Sequence, residues 1–284
     1  NDRDAAGFNG DLGLRVYSSR LLGRDPSLVL HGGGNTSVKI IEKNILGAAQ
    51  EILYVKGSGW DLETIDAAGF APVSMDHLIA LAKLDSLSDP QMVNELKTHT
   101  IDAAAPTPSV EAILHAVLPY KYVDHTHADA IVTITNTAEG PARIREIYGD
   151  SVVVLPYVMP GFDLARECAR RFAAEAGPQT VGMLLLNHGI FSFGATARES
   201  YERMIALVNR AEEYLARQNA WSLSLPAQEP PSQSLRSDLA DLRHRLSMLA
   251  GVPMIVAAHS DNKSLAFARH SDFARISQQG PSTP

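Results

Sequence analysis

The stretch Val123-Asp124-His125-Thr126-His127-Ala128-Asp129-Ala130 carries two histidines as His-x-His between apolar flanks, and the run from Ile131 to Ile134 extends it. The pattern predicts a strand passing into the core, continued through residues 131–134. Side chains two apart on an extended chain project from one face. His125 and His127 therefore point the same way, and two imidazoles on one face make half of a metal site. Zinc that keeps a position open for substrate usually takes three protein ligands. The third candidate is His188, in Leu184-Leu185-Leu186-Asn187-His188-Gly189, where the apolar strand 181–186 ends in a histidine at a turn. Taken alone, a His-x-His pair is more often a pair of surface or hydrogen-bonded groups.

Upstream, the spacing of Leu14, Tyr17, Leu21 and Leu22 predicts a helix over 11–22. Leu28-Val29-Leu30 then reads as a strand running into His31-Gly32-Gly33-Gly34-Asn35-Thr36-Ser37. Such a loop can turn its backbone N–H groups toward an anion, or it can be a plain turn. It matches neither the dinucleotide fingerprint nor the Gly-Lys-Ser/Thr phosphate loop, which counts against a nucleotide enzyme. A second strand, 52–55, leads into Lys56-Gly57-Ser58-Gly59, another small-residue turn with a cation and a hydroxyl. In Thr107-Pro108-Ser109-Val110-Glu111, Thr107 is expected to cap a helix whose first position is Pro108. Glu111 then has two readings. It complements the helix dipole or pairs with His115, or the helix start presents Ser109 to an anion and Glu111 to the metal site.

The composition bounds the function. The chain has 284 residues, 45% hydrophobic and 20% charged, with a net charge of -7. That is an ordinary globular composition with no general attraction to nucleic acid or acidic membranes. Its apolar runs are too short to span a bilayer. One cysteine, Cys168, excludes an internal disulfide and fits a reducing compartment, so a cytoplasmic location is expected. Further strands are expected at 152–155 and 190–193, with a helix from Asp163 to Gly177. Thr196 with Glu199 forms a capping box that opens a long helix. Residues 222–234 are rich in Pro, Ser and Gln and read as a linker. Residues 235–249 form an amphipathic helix, and strands are expected at 253–258 and 264–268. The closing Gly280–Pro284 stretch has the composition of a break before a further domain.

Gly34-Asn35-Thr36-Ser37-Val38, Lys56-Gly57-Ser58-Gly59, Ser109-Val110-Glu111, His125-Thr126-His127 and Asn187-His188-Gly189 occur in the order found in the class II aldolase/adducin family, which the chain resembles. It looks like the aldolase half of bifunctional rhamnulose-1-phosphate aldolase/short-chain dehydrogenase proteins. The resemblance implies an α/β fold, an α/β/α sandwich around a mostly antiparallel sheet, in a domain over 1–221 followed by the linker and a small helix/strand segment over 235–284. It also implies a homo-oligomer, usually a tetramer. By the family pattern, His125, His127 and His188 hold a divalent metal, normally Zn2+. Glu111 takes the catalytic acid/base position, and Asn35, Ser58, Gly59 and Ser109 match positions that cradle a substrate phosphate. Val110 departs from the second serine of several members. The proton-donating tyrosine of related aldolases has no secure counterpart, with Tyr148 and Tyr157 as candidates.

The implied reaction is reversible cleavage of a 1-phosphorylated ketose, with L-rhamnulose 1-phosphate as the leading case. The alternatives are a sugar-phosphate dehydratase or epimerase on the same fold, a fragment of an aldolase/dehydrogenase, and a non-enzymatic adducin-like module. The adducin-like module should have lost the metal ligands that this chain keeps.

Overall fold

The computed structural model describes residues 2–221, 235–259 and 261–277; the expected linker at 222–234 and the closing stretch at 280–284 lie outside them. The chain divides into two compact units, Asn1–Gln218 and Asn219–Pro281. In the first, the elements run α1 (Asp2–Ala5), α2 (Gly10–Gly23), β1 (Asn35–Lys43), β2 (Ala49–Lys56), β3 (Phe70–Ser74), α3 (Met75–Leu81), α4 (Asp89–Thr98), α5 (Ala112–Val117) and β4 (Tyr122–Thr126). They continue with α6 (Asp129–Thr135), α7 (Gly140–Tyr148), β5 (Val152–Leu155), α8 (Phe162–Glu175), β6 (Gly182–Leu185), β7 (Gly189–Gly194) and α9 (Ala197–Arg217).

The strands form one seven-stranded sheet in the order β3-β2-β1-β4-β7-β6-β5. Every pairing is antiparallel except β5 with β6. Helices cover both faces, because successive strand residues face opposite layers. On β6, Met183 and Leu185 join α3, α4, α5 and α8 in one core, while Leu184 joins α6, α7 and α9 in the other. This is the mixed α/β sandwich expected from the resemblance.

The alternation on β4 positions the site. Val123 and His125 face the α5 layer, and Asp124 and Thr126 face α2 and α9. There the Asp124 carboxylate meets Arg15 of α2 in an ion pair with both side chains fully buried, and accepts from Ser200 Oγ at 2.6 Å. Arg15 also donates to the carbonyls of Ser37 and Val123, so it ties α2 to β1 and β4. Thr126 Oγ1 donates to Met204 Sδ at 3.2 Å.

The structure departs from sequence expectation in five places, three in this unit and two in the other. Leu28–Leu30 is a turn, because the N–H groups of Leu28 and Val29 both bond Asp25 O and the Asp25 side chain accepts from Ser27 N. The strand begins after the glycines, at Asn35. The helix expected from Pro108 begins at Ala112. Residues 107–109 instead run alongside 56–58, with Ser58 N on Thr107 O, Ser109 N on Lys56 O and Pro108 opposite Gly57. Residues 131–134 are helical: Ile131 and Ile134, three apart, pack under α9, and a short apolar run serves a buried helix as readily as a strand.

The second unit holds α10 (Leu235–Ala250), α11 (Asn262–Ala268) and α12 (Phe273–Ser277). The strands expected at 253–258 and 264–268 are absent. No described strand pairs with residues 253–258, and Asp261 caps a helix through the second stretch by accepting from Lys263 N and Ser264 N.

Candidate metal centre

Three histidines from two places in the chain meet at one point. His125 stands at the end region of β4, His127 two residues on, and His188 in the turn between β6 and β7. His125 Nε2 lies 3.0 Å from His127 Nε2 and 3.2 Å from His188 Nε2. Metal–nitrogen bonds of about 2.0–2.1 Å at a tetrahedral angle place two ligand nitrogens roughly 3.3 Å apart. The spacing is that of ligands around one ion. His125 Nδ1 donates to Ile190 O at 3.1 Å, which leaves its Nε2 lone pair facing the other two rings. Burial holds all three imidazoles below their ordinary pKa. His125 is held well below it by burial, with His127 and His115 adding to the effect, and His188 falls to about 3 through burial and then His125. Neutral imidazole is the form that binds metal.

The turn carrying His188 depends on its neighbours. Asn187 adopts φ 61°, a left-handed conformation that asparagine tolerates, and bonds Asn136 through its side chain. A Cβ on Gly189 would sit 2.4 Å from Thr126 O and 3.1 Å from the rings of His125 and His127. Only glycine lets β7 cross so close to the cluster. Phe191 then stacks on the His125 ring, 4.0 Å between centroids and 14° apart in plane.

Glu111 reaches the same point from the start of α5. Its Oε1 lies 3.5 Å from His188 Nε2 and its Oε2 3.6 Å from His125 Nε2. Oε1 is buried with no hydrogen-bond donor, as is His188 Nδ1. A buried carboxylate oxygen without a donor, facing three neutral imidazoles, is poorly satisfied unless a cation sits among them. The donor set thus fits a divalent metal, with His125, His127 and His188 as the groups that would hold it.

Glu111 Oε2 is not free. Asn35 Nδ2 donates to it at 2.6 Å and to Ser109 Oγ at 3.2 Å, and Asn35 Oδ1 accepts from His115 Nε2. An amide oxygen only accepts, so His115 carries its proton on Nε2 and accepts on Nδ1 from Ser37 Oγ, at 2.7 Å. His115 is fully buried, and burial, with Lys39 and Arg15, lowers its pKa to about 3.

Beside Glu111 opens a cavity of about 290 Å³. Gly32–Gly34, Asn35, Lys56–Gly59, Ser109, Val110, Glu111, His127, Pro160 and His188 line it. Lys56 is buried, and its Nζ donates to Gly32 O at 2.6 Å, joining the two glycine loops. Desolvation lowers its pKa to about 8, against the pull of Asp61 and Glu111.

The profile of the Class II Aldolase and Adducin N-terminal domain matches residues 15–215. The chain belongs to the class II aldolase/adducin family. This family member is 48% identical to the N-terminal class II aldolase domain of a conserved protein from Thermoplasma acidophilum, covering 73% of this chain and 95% of that one with a TM-score of 0.68. A sugar-phosphate aldolase from Thermotoga maritima shares the fold at 15% identity and a TM-score of 0.52, over 74% of this chain and 96% of that one. A Bacillus subtilis (strain 168) protein named "Uncharacterized oxidoreductase YuxG" is 41% identical over 200 residues, 70% of this chain. The match spans 29% of that relative's length.

Every metal, acid/base and phosphate residue expected from the sequence of this family member lies on the cavity or the histidine cluster. Two features differ from expectation. Asn35 spends its amide on Glu111, Ser109 and His115 rather than standing open to an anion. Neither candidate tyrosine lines the cavity: Tyr148 is buried and donates to Leu207 O at 2.7 Å, and Tyr157 lies beside Met159 Sδ at 3.7 Å. Two cavity or support residues were not assigned from sequence, Lys56 and His115. The signal for His115 was the alternation of Asn35 and Ser37, two polar side chains on one face of β1.

Proposed function

We propose that this family member is a divalent-metal aldolase, with zinc as its normal ion. It reversibly cleaves a 1-phosphorylated ketose to dihydroxyacetone phosphate and an aldehyde, L-rhamnulose 1-phosphate being the leading substrate. The observation that carries this reading is that His125 Nε2 lies 3.0–3.2 Å from the Nε2 atoms of His127 and His188, with the Glu111 carboxylate 3.5–3.6 Å from His188 and His125.

Breaking the C3–C4 bond leaves an electron pair on C3, which must spread into the C2 carbonyl. A metal held by three neutral imidazoles supplies Lewis-acid stabilisation of the charge on that oxygen. Glu111 is the acid/base residue: in cleavage the C4 hydroxyl gives its proton to solvent in the cavity as the C3–C4 bond breaks and the aldehyde forms, and protonated Glu111 delivers a proton to C3; condensation reverses both transfers. Asn35 orients that carboxylate. Lys56, Ser58, Gly59 and Ser109 bind the phosphate in the adjoining cavity and fix the ketose over the site, so that binding energy goes into orientation. Val110 replaces a hydroxyl on this wall, and the Lys56 ammonium compensates.

A sugar-phosphate epimerase or dehydratase would reuse the same groups. The Glu111 carboxylate beside the histidine cluster supports proton transfer at carbon, and glutamate rather than aspartate there favours aldolase or dehydratase over epimerase by analogy. We further propose a cytoplasmic homo-oligomer, supported by the lone buried Cys168 and by the family. The deciding experiment is metal analysis of the purified chain with a coupled assay for dihydroxyacetone phosphate release from L-rhamnulose 1-phosphate and its stereoisomers. Aldehyde and dihydroxyacetone phosphate formed in equal amounts support the aldolase. Isomerised or dehydrated sugar phosphate alone would replace it with a rival. NAD-linked turnover by this chain is expected to be blank.

A further inference from the structure

A second group of metal-binding side chains lies away from the cavity. His77 on α3, Glu95 on α4 and His99 just past the end of α4 converge so that their ligand atoms lie within 4.8 Å of one another. His77 Nε2 is 2.9 Å and His99 Nδ1 3.6 Å from the same oxygen, Glu95 Oε2. These separations bracket the roughly 3.3 Å expected between two ligands on one tetrahedral ion. None of the three lines the cavity beside Glu111.

The backbone holding them is rigid. Ser74, the residue before α3, donates its N–H to His99 O at 3.1 Å, and Val73 bridges to Thr100. Glu95 in the last turn of α4 and His99, the residue that caps its C-terminus, stand four apart, with His99 Nδ1 on Glu95 O at 2.9 Å. Met75, Leu78 and Leu81 of α3 and Met92 and Leu96 of α4 are buried in the same core. Only the side-chain tips are left to adjust, and each is about a quarter to two-fifths exposed, open to an ion from solvent.

The ring arrangement also asks for a cation. The His77 and His99 imidazoles lie face to face, 3.2 Å between centroids and 7° apart in plane. Aromatic rings prefer offset or edge-on contacts, because stacked faces repel. Both rings nevertheless direct a nitrogen to one carboxylate oxygen. A shared cation would replace the protons that His77 Nε2 and His99 Nδ1 direct at Glu95 Oε2 and Glu95 O, provided the rings fan apart so that both deprotonated nitrogens point at it. His99 Nδ1 would leave Glu95 O, its 2.9 Å partner, to do so.

We propose that His77, Glu95 and His99 form a second divalent-metal site of the two-imidazole, one-carboxylate type, suited to zinc, cobalt or nickel, with water completing the shell. Its ion cross-links α3 to α4. The site is independent of the histidine cluster that Glu111 faces and of the reaction performed there.

The test uses the full chain stripped of metal and titrated with Co2+ and Zn2+, with ions bound per chain read by elemental analysis and cobalt absorption. His77→Asn/His99→Asn addresses the outer site and His125→Asn/His188→Asn the inner one. Wild type is expected to bind two ions per chain and each double variant one, with zinc raising the melting temperature of the inner double variant. An outer double variant that binds as many ions as wild type would overturn the proposal, and so would an inner double variant that binds none. Proton uptake without ion binding at the outer residues would overturn it as well. Failure of the inner cluster alone would read differently: one ion in wild type, lost only on changing His77 and His99. Circular dichroism checks that each variant is folded, and Glu95→Gln provides a third removal that leaves both rings in place.

Discussion

Asn35 donates its side-chain amide to Glu111 Oε2 at 2.6 Å, while its own carbonyl oxygen is held by the buried His115. The carboxylate oxygen fixes the amide, because it accepts and so takes the Nδ2 side, which turns the carbonyl oxygen to His115 Nε2. The chain Ser37–His115–Asn35–Glu111 fixes which carboxylate oxygen faces the metal cluster. Removing His115 frees Asn35 to rotate and leaves buried polar atoms unpaired, an effect of ~1–3 kcal/mol. His115→Phe is expected to lower kcat about tenfold with little change in KM for the sugar phosphate. Steady-state kinetics on folded variant protein checks it, and His115→Gln, which can still donate, should recover part of the loss.

Glu111 itself should matter more. Glu111→Ala removes the group placed to move a proton at C3 and is expected to lower kcat by about 10²–10⁴-fold. Metal content should remain near that of wild type, since the three imidazoles stay. Exchange of the C3 proton of dihydroxyacetone phosphate with deuterated water isolates this step from aldehyde chemistry. Unchanged exchange in Glu111→Ala would end the acid/base assignment.

Much of this centre was readable from the residues. His125 and His127 share a face because a strand alternates, and His188 follows an apolar strand into a turn marked by Asn187 and Gly189. The order of the motifs carried the fold, including one sheet with helices on both faces. The support groups were harder. His115 lies 80 residues from Asn35 and 78 from Ser37, so its partners emerge only when β1 pairs with β4 and α5 packs beneath. Local pattern also failed where pairing overrides it. Pro108 looks like a helix start until its backbone is seen running beside Gly57. Residues 131–134 read as strand because three apolar residues and a threonine are too few to reveal a period.

Metal removal follows from the geometry of the cluster. With the Nε2 atoms of His127 and His188 each 3.0–3.2 Å from that of His125 and Glu111 Oε1 lacking a donor, the metal-free site is the less stable one. Chelation is expected to abolish turnover and lower the melting temperature, with zinc restoring both. A ligand at a hundred times its dissociation constant stabilises by ~2.7 kcal/mol. In His188→Ala the restoration should fail, and calorimetry with and without zinc checks it.

Lys56 sets a pH dependence on anion binding. Its pKa is lowered to about 8, chiefly by burial, so the ammonium is present below that pH and lost above it. Anion affinity should therefore fall as pH rises through about 8, with a bound anion moving the midpoint upward. Sulfate is the suitable probe, since its own charge is constant over this range. Lys56→Met is expected to weaken sulfate binding roughly ten- to a hundredfold at pH 7, the size of a charged hydrogen bond, and to flatten the profile. Titration calorimetry between pH 6.5 and pH 9.5, roughly the window bracketing that pKa, reads both effects.

Beneath the site, Arg15 and Asp124 form an ion pair with both side chains fully buried. Asp124 sits between Val123 and His125, so its anchorage sets where β4 presents the first histidine. Arg15→Met would leave the carboxylate with Ser200 as its remaining side-chain donor. Stranding one buried charge costs about 3–5 kcal/mol, which lowers the melting temperature of a unit this size by on the order of 10 °C. Replacing both partners removes the stranded charge. Arg15→Met with Asp124→Leu is expected to recover most of the loss, as buried pairs often contribute little beyond a well-packed apolar substitute. If the double variant melts as low as the single, the pair supplies stability directly. If it recovers the melting temperature but binds zinc more weakly than wild type, the pair is kept for the alignment of His125.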